Sequence, residues 1–295
     1  MIKPLIKSMR LRTLPLSLAG VVCGSLLAMF FRGDGDILEL LLVALTACSL
    51  QILSNLSNEM GDFKSGVDGE GREGPAYGMA NGLTEKQLWR AINWMVVLCA
   101  LCGLVMLLVS FPILSSYFLV LTFLGAAAIW AATHYTLGKK PYGYKGLGDL
   151  FVFIFFGLVS VLGSYFILAH TIDFTLWLIA PAVGMGLLSV AVLNVNNIRD
   201  MESDKGIRMT IPLRIGTRNA KVYQTLLVVF GVGCFYLSPL RPYLLFITMP
   251  FFVWHLVIVW RGCGRKLDAA LPLLVLSAFA LAILYSFNVA YSPLR

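Results

Sequence analysis

Residues 174–205 combine a long apolar run with a charged end, and they read FTLWLIAPAVGMGLLSVAVLNVNNIRDMESDK. The run 174–195 contains no Asp, Glu, Lys or Arg. A helix needs about 20 mostly apolar residues to cross the hydrocarbon core of a bilayer. We therefore predict a transmembrane helix over 174–195 that carries a polar, acidic segment at one end.

The composition of the whole chain is that of an integral membrane protein. Of its 295 residues, 59% are hydrophobic and 13% are charged, and the mean hydropathy is +0.83. A soluble domain carries roughly 25% charged residues. Hydropathy predicts nine transmembrane helices, so we expect an all-α membrane protein. The predicted spans lie at 14–31, 37–56, 89–110, 113–135, 150–170, 174–195, 223–237, 243–260 and 271–290.

The positive charges predict which side of the membrane each connection faces. With a cytoplasmic N-terminus, all of the 23 Lys and Arg residues except Arg32, Arg241 and Arg295 fall in the N-terminal arm or at connections on that same side. Lys and Arg are enriched in cytoplasmic loops. We therefore expect the N-terminus and the long loops in the cytoplasm. The same rule explains the net charge of +8 without a nucleic-acid partner.

Two polar segments follow the second and the sixth predicted spans. The first has Asn58 and, four residues later, Asp62. The second has Asn196, Asp200 and Asp204 at successive i+4 steps. Residues four apart lie on one face of a helix, about 5–6 Å from each other at Cβ. Because Mg²⁺ prefers carboxylates and substrate phosphates, two such segments facing each other predict a site for a divalent cation and a phosphate ester. The alternative is a solvated loop at each helix end.

Cations and a third polar loop accompany these segments. Arg199, Lys205 and Arg208 surround the second acidic segment and are suited to bind phosphate oxygens. The connection after the fourth predicted span has Tyr135 and Lys139, again four residues apart. A Lys beside a diphosphate can stabilise a leaving oxygen, and a Tyr hydroxyl can donate to it. An interfacial aromatic and a cytoplasmic anchoring cation would have the same pattern.

An apolar body with acids and cations at its cytoplasmic helix ends suggests a lipid diphosphate substrate. Mg²⁺ would connect the acidic segments to the diphosphate, and the C–O bond would ionise to an allylic cation that an electron-rich acceptor attacks. The apolar helices would shield that cation from water.

Five motifs along the chain together carry a family resemblance. They are Arg10-x-x-Thr13-Leu14-Pro15, Asn55-x-x-Asn58-x-x-Gly61-Asp62-x-x-x-Gly66-x-Asp68, Arg72-x-Gly74-Pro75, the run 135–149, and Asn194-x-Asn196-Asn197-x-Arg199-Asp200-x-x-x-Asp204. These motifs resemble the UbiA superfamily of intramembrane aromatic prenyltransferases, and the likeness covers nearly the whole chain. The spacing Gly66-x-Asp68 is similar to the branch of that superfamily whose acceptor is dihydroxynaphthoate.

The resemblance implies nine transmembrane helices around a central cavity, a single intramembrane prenyltransferase domain over 1–295, and a place in the bacterial inner membrane. It implies transfer of a polyprenyl group from polyprenyl diphosphate to dihydroxynaphthoate with loss of CO₂, giving a demethylmenaquinone. The implied Mg²⁺ ligands are Asn58, Asp62, Asp68, Asn196, Asp200 and Asp204. The implied catalytic residues are Asp62, Asp200, Tyr135 and Lys139, and the implied substrate-binding residues are Asn58, Arg72, Lys139, Asn197, Arg199, Lys205 and Arg208.

Two residues depart from the family pattern, and two other functions compete with this one. Glu59 stands where the family commonly has Asp, and Tyr77 stands where an Arg is expected. The first alternative is a family member with another acceptor, such as hydroxybenzoate, homogentisate or glycerol phosphate. The second is an ion-coupled secondary transporter. Transporters place such acids near mid-membrane in broken helices, whereas these acids follow the spans.

Overall fold

The regular structure of the protein is helical throughout the residues that the computed structural model describes, which are 2–33, 36–66, 75–138, 141–172, 174–237 and 243–290. The α-helices are α1 Ile2–Met9, α2 Leu14–Leu27, α3 Ile37–Ser65, α4 Glu85–Ser110, α5 Ser116–His134, α6 Gly148–Val152, α7 Ser164–Ala169, α8 Leu176–Arg199, α9 Met201–Asp204, α10 Ile211–Tyr236, α11 Met249–Arg261 and α12 Ala270–Ala290. A π-helical segment, Phe153–Gly163, joins α6 to α7.

Eight helical stretches among the described residues are long and apolar enough to cross a membrane. They are Ile2–Phe30, Ile37–Ser65, Glu85–Ser110, Ser116–His134, Gly148–Ala169, Leu176–Arg199, Tyr243–Arg261 and Gly264–Val289. The predicted all-α membrane fold is therefore confirmed. The remaining predicted span, 223–237, falls almost entirely within α10, which is not one of the eight. The count of nine spans and the side of the N-terminus stay predictions.

Close helix packing around α8 depends on glycine. A Cβ on Gly157 of the π-helical segment would lie 2.5 Å from Cα of Gly186, and one on Gly184 would lie 2.7 Å from the carbonyl oxygen of Gly231 in α10. Small residues let helix backbones approach closely where the hydrophobic effect cannot drive association. The helix that carries the second acidic segment is thus held tightly between two neighbours.

The ends of α3 explain where the first acidic segment lies. Asp36 and Glu39 form a reciprocal capping box that starts the helix. The helix continues past the predicted span to Ser65 and ends at Gly66, whose φ of 76° is the left-handed conformation that glycine favours. Asp62 therefore lies in the last turn of a membrane helix, facing the connections that follow other helices.

Candidate functional site

The two acidic segments meet at the guanidinium of Arg208. Asp62, in the last turn of α3, forms an ion pair with Nη2 of Arg208, which follows α9. Nε of the same guanidinium lies 3.5 Å from Oδ1 of Asp204. The side chains of Asp62, Asp204 and Arg208 are only 6%, 3% and 17% exposed. One buried cation therefore joins carboxylates from both segments.

The carboxylates hold this guanidinium in its charged form. Burial alone would lower the pKa of Arg208, but the charges of Asp62 and Asp204 oppose that effect, and the pKa is raised above its usual value. A buried carboxylate is costly unless it is paired, so the cation in turn stabilises the two acids. The site is a compact arrangement of opposite charges close to the end of α3.

Tyr144 is a third partner that the sequence analysis did not single out. Its hydroxyl donates to Oδ1 of Asp62 at 3.5 Å and lies 3.1 Å from Oγ of Ser65. The guanidinium carbon of Arg208 is 4.8 Å from the centre of its ring, within the range of cation–π attraction. Its carbonyl oxygen accepts from the backbone N–H of Met209 at 3.0 Å. The connection after α5 is thereby attached to both acidic segments.

Tyr135 is buried at the end of α5, next to the same group of charges. Its carbonyl oxygen accepts from the N–H of Gly143 at 3.0 Å, which closes the connection back onto the helix end. Its hydroxyl occupies the space beside Gly148, 2.7 Å from where a Cβ would lie. Burial raises the pKa of Tyr135 to about 12; the charge of Arg208 opposes this rise, and the carboxylates of Asp149, Asp62 and Asp204 add to it. Tyr135 is therefore a neutral hydrogen-bond donor.

Asn58 is fixed by the same connection. Oγ1 of Thr136 donates to Oδ1 of Asn58 at 3.2 Å and to the carbonyl oxygen of Ser57 at 3.0 Å. Thr136 also fills the space beside Gly61, where a Cβ would lie 2.5 Å from the threonine Cβ. Gly61 is thus required for this close approach, which orients the amide oxygen of Asn58 one turn before Asp62.

The second acidic segment divides its carboxylates between two arginines. Helix α8 ends at Arg199, Asp200 has φ −93° and ψ 10°, and α9 follows. The N–H of Asp204 still bonds to the carbonyl oxygen of Asp200 at 2.9 Å, so the i+4 relation survives the break. Nε and Nη2 of Arg199 hold the two oxygens of Asp200 at 2.8 and 2.7 Å. Asp200 therefore pairs with Arg199, whereas Asp204 contacts Arg208.

Arg199 is itself anchored from a third side. Its Nη1 donates to Oδ1 of Asp268 at 2.8 Å, in the 3₁₀ segment Gly264–Ala269 between α11 and α12. The other predicted site residues make fewer contacts with this group. Nδ2 of Asn196 donates to the carbonyl oxygen of Val192 at 3.2 Å. Asn197 is half-buried, and Lys205 is exposed. Asp68, Arg72 and Lys139 lie outside the described residues.

The donor set suits a hard divalent cation that also binds phosphate. No group of three or more His, Cys, Asp or Glu side chains in the described part of the chain is arranged to hold a metal alone. Mg²⁺ usually takes one or two carboxylates, water and substrate phosphates. The carboxylates of Asp62 and Asp204, which both face the cation of Arg208, and the amide oxygen of Asn58 are donors of this kind.

Comparisons with known proteins show which family the chain resembles. The model of the UbiA prenyltransferase family matches residues 17–272. A 1,4-dihydroxy-2-naphthoate octaprenyltransferase from Escherichia coli (strain K12) is 43% identical over 233 residues, which cover 78% of this chain and 74% of that protein. The Haemophilus influenzae protein of the same name is 38% identical over 274 residues, covering 90% of this chain and 87% of the relative.

Solved structures share the fold at low sequence identity. A UbiA homologue from Aeropyrum pernix K1 gives a TM-score of 0.66 at 14% identity and covers 95% of this chain and 97% of its own. A UbiA homologue from Archaeoglobus fulgidus, solved with GPP and Mg²⁺, gives 0.63 at 16% identity, with 97% of this chain and 99% of its own covered. At these identities the likeness shows the helical architecture alone.

Proposed function

Because the chain belongs to the UbiA prenyltransferase family, we propose that it transfers a polyprenyl group from a polyprenyl diphosphate to 1,4-dihydroxy-2-naphthoate. The bacterial relatives that support this acceptor are named for it and match most of the chain. The structural observation that carries the proposal is the meeting of Asp62 and Asp204 at Arg208. Such a cation can bind a phosphate directly, and the carboxylates would bind it through a divalent metal ion.

Residues of both acidic segments would hold Mg²⁺. We assign Asn58, Asp62 and Asp204 to this role, with Asp200, Asn196 and Asp68 as further ligands. When bound, Mg²⁺ offsets the negative charge that develops on the diphosphate as its bond to the prenyl carbon breaks.

The other residues bind and orient the diphosphate. The guanidinium of Arg208 can take phosphate oxygens in a planar, charge-assisted contact. The hydroxyls of Tyr135 and Tyr144 would donate to the diphosphate, where donors stabilise a developing oxyanion. Arg199, through its hold on Asp200, sets how much of that carboxylate is available. Further phosphate contacts are assigned to Lys139, Arg72, Lys205 and Asn197.

The bonds and electrons of this prenyl transfer balance without an added oxidant. The electron pair of the C–O bond leaves with the diphosphate, and the ring carbon that carries the carboxylate forms the new C–C bond. The carboxylate departs as CO₂ and returns its bonding pair to the ring. The immediate product is the diol form of a demethylmenaquinone. The apolar helices around the site keep water from the allylic cation.

The site is proposed to face the cytoplasm, at the inner membrane of a bacterium. Positive charge is concentrated at the connections that carry the acidic segments, and such connections face the cytoplasm. A diphosphate and a water-soluble acceptor can reach a site on that side.

An acceptor competition tests the proposal. Purified protein is incubated with Mg²⁺, a polyprenyl diphosphate and equal amounts of 1,4-dihydroxy-2-naphthoate and 4-hydroxybenzoate, and the products are identified by mass. We expect a prenylated naphthalenediol that has lost CO₂. A prenylated hydroxybenzoate as the main product would replace the acceptor, and no prenylated product from any aromatic acceptor would contradict the proposed function.

A further inference from the structure

A second polar group lies beside the diphosphate site and is not used by the steps above. It consists of Arg10 between α1 and α2, Glu59 in α3, and Tyr77 before α4. Glu59 is only 1% exposed, and Arg10 and Tyr77 are half-buried. The group therefore combines a buried acid, a cation and an aromatic ring.

Contacts along the chain place these three residues together. Nδ2 of Asn55 donates to the carbonyl oxygen of Met9 at 2.9 Å, so the chain just before Arg10 lies against α3 one turn before Glu59. The guanidinium carbon of Arg10 is 3.9 Å from the centre of the Tyr77 ring. The N–H of Met79, two residues after Tyr77, donates to Oε1 of Glu59 at 2.6 Å. Arg10 thus contacts Tyr77, and Glu59 contacts Met79, two residues further along the same segment.

Three polar atoms, two of Arg10 and one of Glu59, are buried without a hydrogen-bond partner among the described residues. Within the part of the chain that the structure describes, no group hydrogen-bonds to Nε or Nη2 of Arg10 or to Oε2 of Glu59, although all three atoms are buried. A buried donor or acceptor without a partner destabilises the folded protein, and more strongly if the group is charged. Such atoms call for an explanation, and a bound ligand supplies one.

The chemistry of the free atoms defines the ligand. Two adjacent guanidinium nitrogens suit a carboxylate, which accepts two parallel hydrogen bonds. A carboxylate oxygen suits a hydroxyl donor, and the ring of Tyr77 offers a surface for an aromatic ring. A hydroxylated aromatic carboxylate has all three complementary groups.

We infer that Arg10, Tyr77 and Glu59 form the subsite for the aromatic acceptor, with its carboxylate on Arg10 and a hydroxyl on Oε2 of Glu59. This inference rests on the proposed function and adds the place of its second substrate. Glu59 and Asp62 are three residues apart on α3, so their side chains are neighbours on the helix surface, about 5–6 Å apart at Cβ. An acceptor held by Glu59 therefore lies next to the carboxylate that binds the metal and the diphosphate.

Binding of stable acceptor analogues, without prenyl diphosphate, tests the subsite separately from turnover. The probes are 1-hydroxy-2-naphthoate, 1-naphthol, which lacks the carboxylate, and 2-naphthoate, which lacks the hydroxyl. Wild-type protein should bind the first probe on the order of tenfold more tightly than either of the others, because each lost contact is a hydrogen bond to a charged group.

Each of two variants should abolish one binding preference, either that for the ligand carboxylate or that for the ligand hydroxyl. Arg10→Gln should bind 1-hydroxy-2-naphthoate and 1-naphthol equally while still discriminating against 2-naphthoate. Glu59→Gln should show the reverse, because its amide oxygen remains the acceptor for the N–H of Met79 and its NH₂ cannot accept the ligand hydroxyl. Arg218→Gln and Glu85→Gln remove an exposed cation and an exposed acid and should keep both preferences.

The outcomes separate this inference from the proposed function. If Arg10→Gln and Glu59→Gln lower the melting temperature but keep both binding ratios of the wild type, the group serves folding only and the inference is wrong. Arg10→Lys, which keeps the charge and one donor direction, replaces Arg10→Gln if that variant does not fold. A wild-type protein that binds the probes selectively but prenylates no aromatic acceptor would overturn the proposed function and keep the subsite.

Discussion

The guanidinium of Arg208 forms an ion pair with the carboxylate of Asp62, a residue 146 positions earlier in the chain. Because Asp204 lies on the other side of the same guanidinium, Arg208 neutralises acids from both halves of the protein. A divalent cation bound by these acids would take over that task. Arg208 would then be free to contact the diphosphate.

Replacing Arg208 should therefore affect stability most strongly when no metal is present. Arg208→Gln removes the positive charge that Asp62 and Asp204 share, and removal of one partner of a buried ion pair costs about 3–5 kcal/mol. Thermal unfolding in detergent should show a large loss of stability without Mg²⁺ and partial recovery with it, because a bound ligand stabilises the folded state. The control is Arg218→Gln, at an exposed cation. Equal destabilisation with and without Mg²⁺ would contradict this role.

Asp268 should tune the metal site through Arg199. In Asp268→Asn, Arg199 loses one of its two acidic partners and interacts more strongly with Asp200. Because Asp268 is 41% exposed, the effect should be modest, roughly a two- to fivefold rise in the Mg²⁺ concentration that gives half-maximal rate. The matched control is Glu202→Gln, at an exposed acid near the same site. An unchanged Mg²⁺ requirement would show that Asp268 only holds its loop.

Tyr135 should act as a neutral donor up to high pH. A tyrosine with the usual pKa of about 10 would lose its proton in mild base, but burial raises the pKa of Tyr135 to about 12. The folded protein holds this proton more tightly than the unfolded chain does. The protonated Tyr135 therefore contributes to the free energy of unfolding fully below about pH 10, and this contribution is lost above about pH 12.

The rate should accordingly show no decline from Tyr135 ionisation between about pH 8 and 10. Tyr135→Phe should lower kcat roughly 10–100-fold without changing the shape of that profile, since it removes a donor and not a titrating group. Initial rates across this pH range measure both effects. A wild-type rate that falls near pH 9, and no longer falls in Tyr135→Phe, would show that the hydroxyl ionises in this range.

The contact between the π-helical segment and α8 should tolerate no added atom. Gly157→Ala introduces a Cβ 2.5 Å from Cα of Gly186, and overpacking typically costs about 1–3 kcal/mol. Gly125→Ala is the matched control, because no described atom lies within 4 Å of its new Cβ. Melting temperatures of the two variants should differ clearly. Equal melting temperatures would mean that the helices separate at little cost.

The fold and the position of the acids could be predicted because their signals are local. Apolar runs of membrane length mark the helices. The spacing of Asn58 and Asp62, four residues apart, places both on one face of a helix. The break at Asp200 was missed, since Asn196, Asp200 and Asp204 fit an unbroken helix equally well by spacing.

No local sequence pattern predicted the contacts between segments that are far apart in the chain. Tyr144 lies in the run 135–149, which carries the family resemblance as a whole without marking this residue, and 82 positions separate it from Asp62. Asp268 is 69 positions from Arg199 and lies in an ordinary charged connection. Which acid pairs with which arginine depends on how helices pack, and no periodicity in the chain encodes it.

The measurement that tests the central claim most directly is Mg²⁺-dependent product formation by Asp62→Asn and Asp204→Asn. Mass spectrometry follows the prenylated naphthalenediol over time, and Glu85→Gln serves as the exposed-acid control. If the two acidic segments form one site for metal and diphosphate, each variant should insert into the membrane and fold but lose roughly 10²–10³-fold in rate. A rate within a few-fold of the wild type in either folded variant would contradict the account.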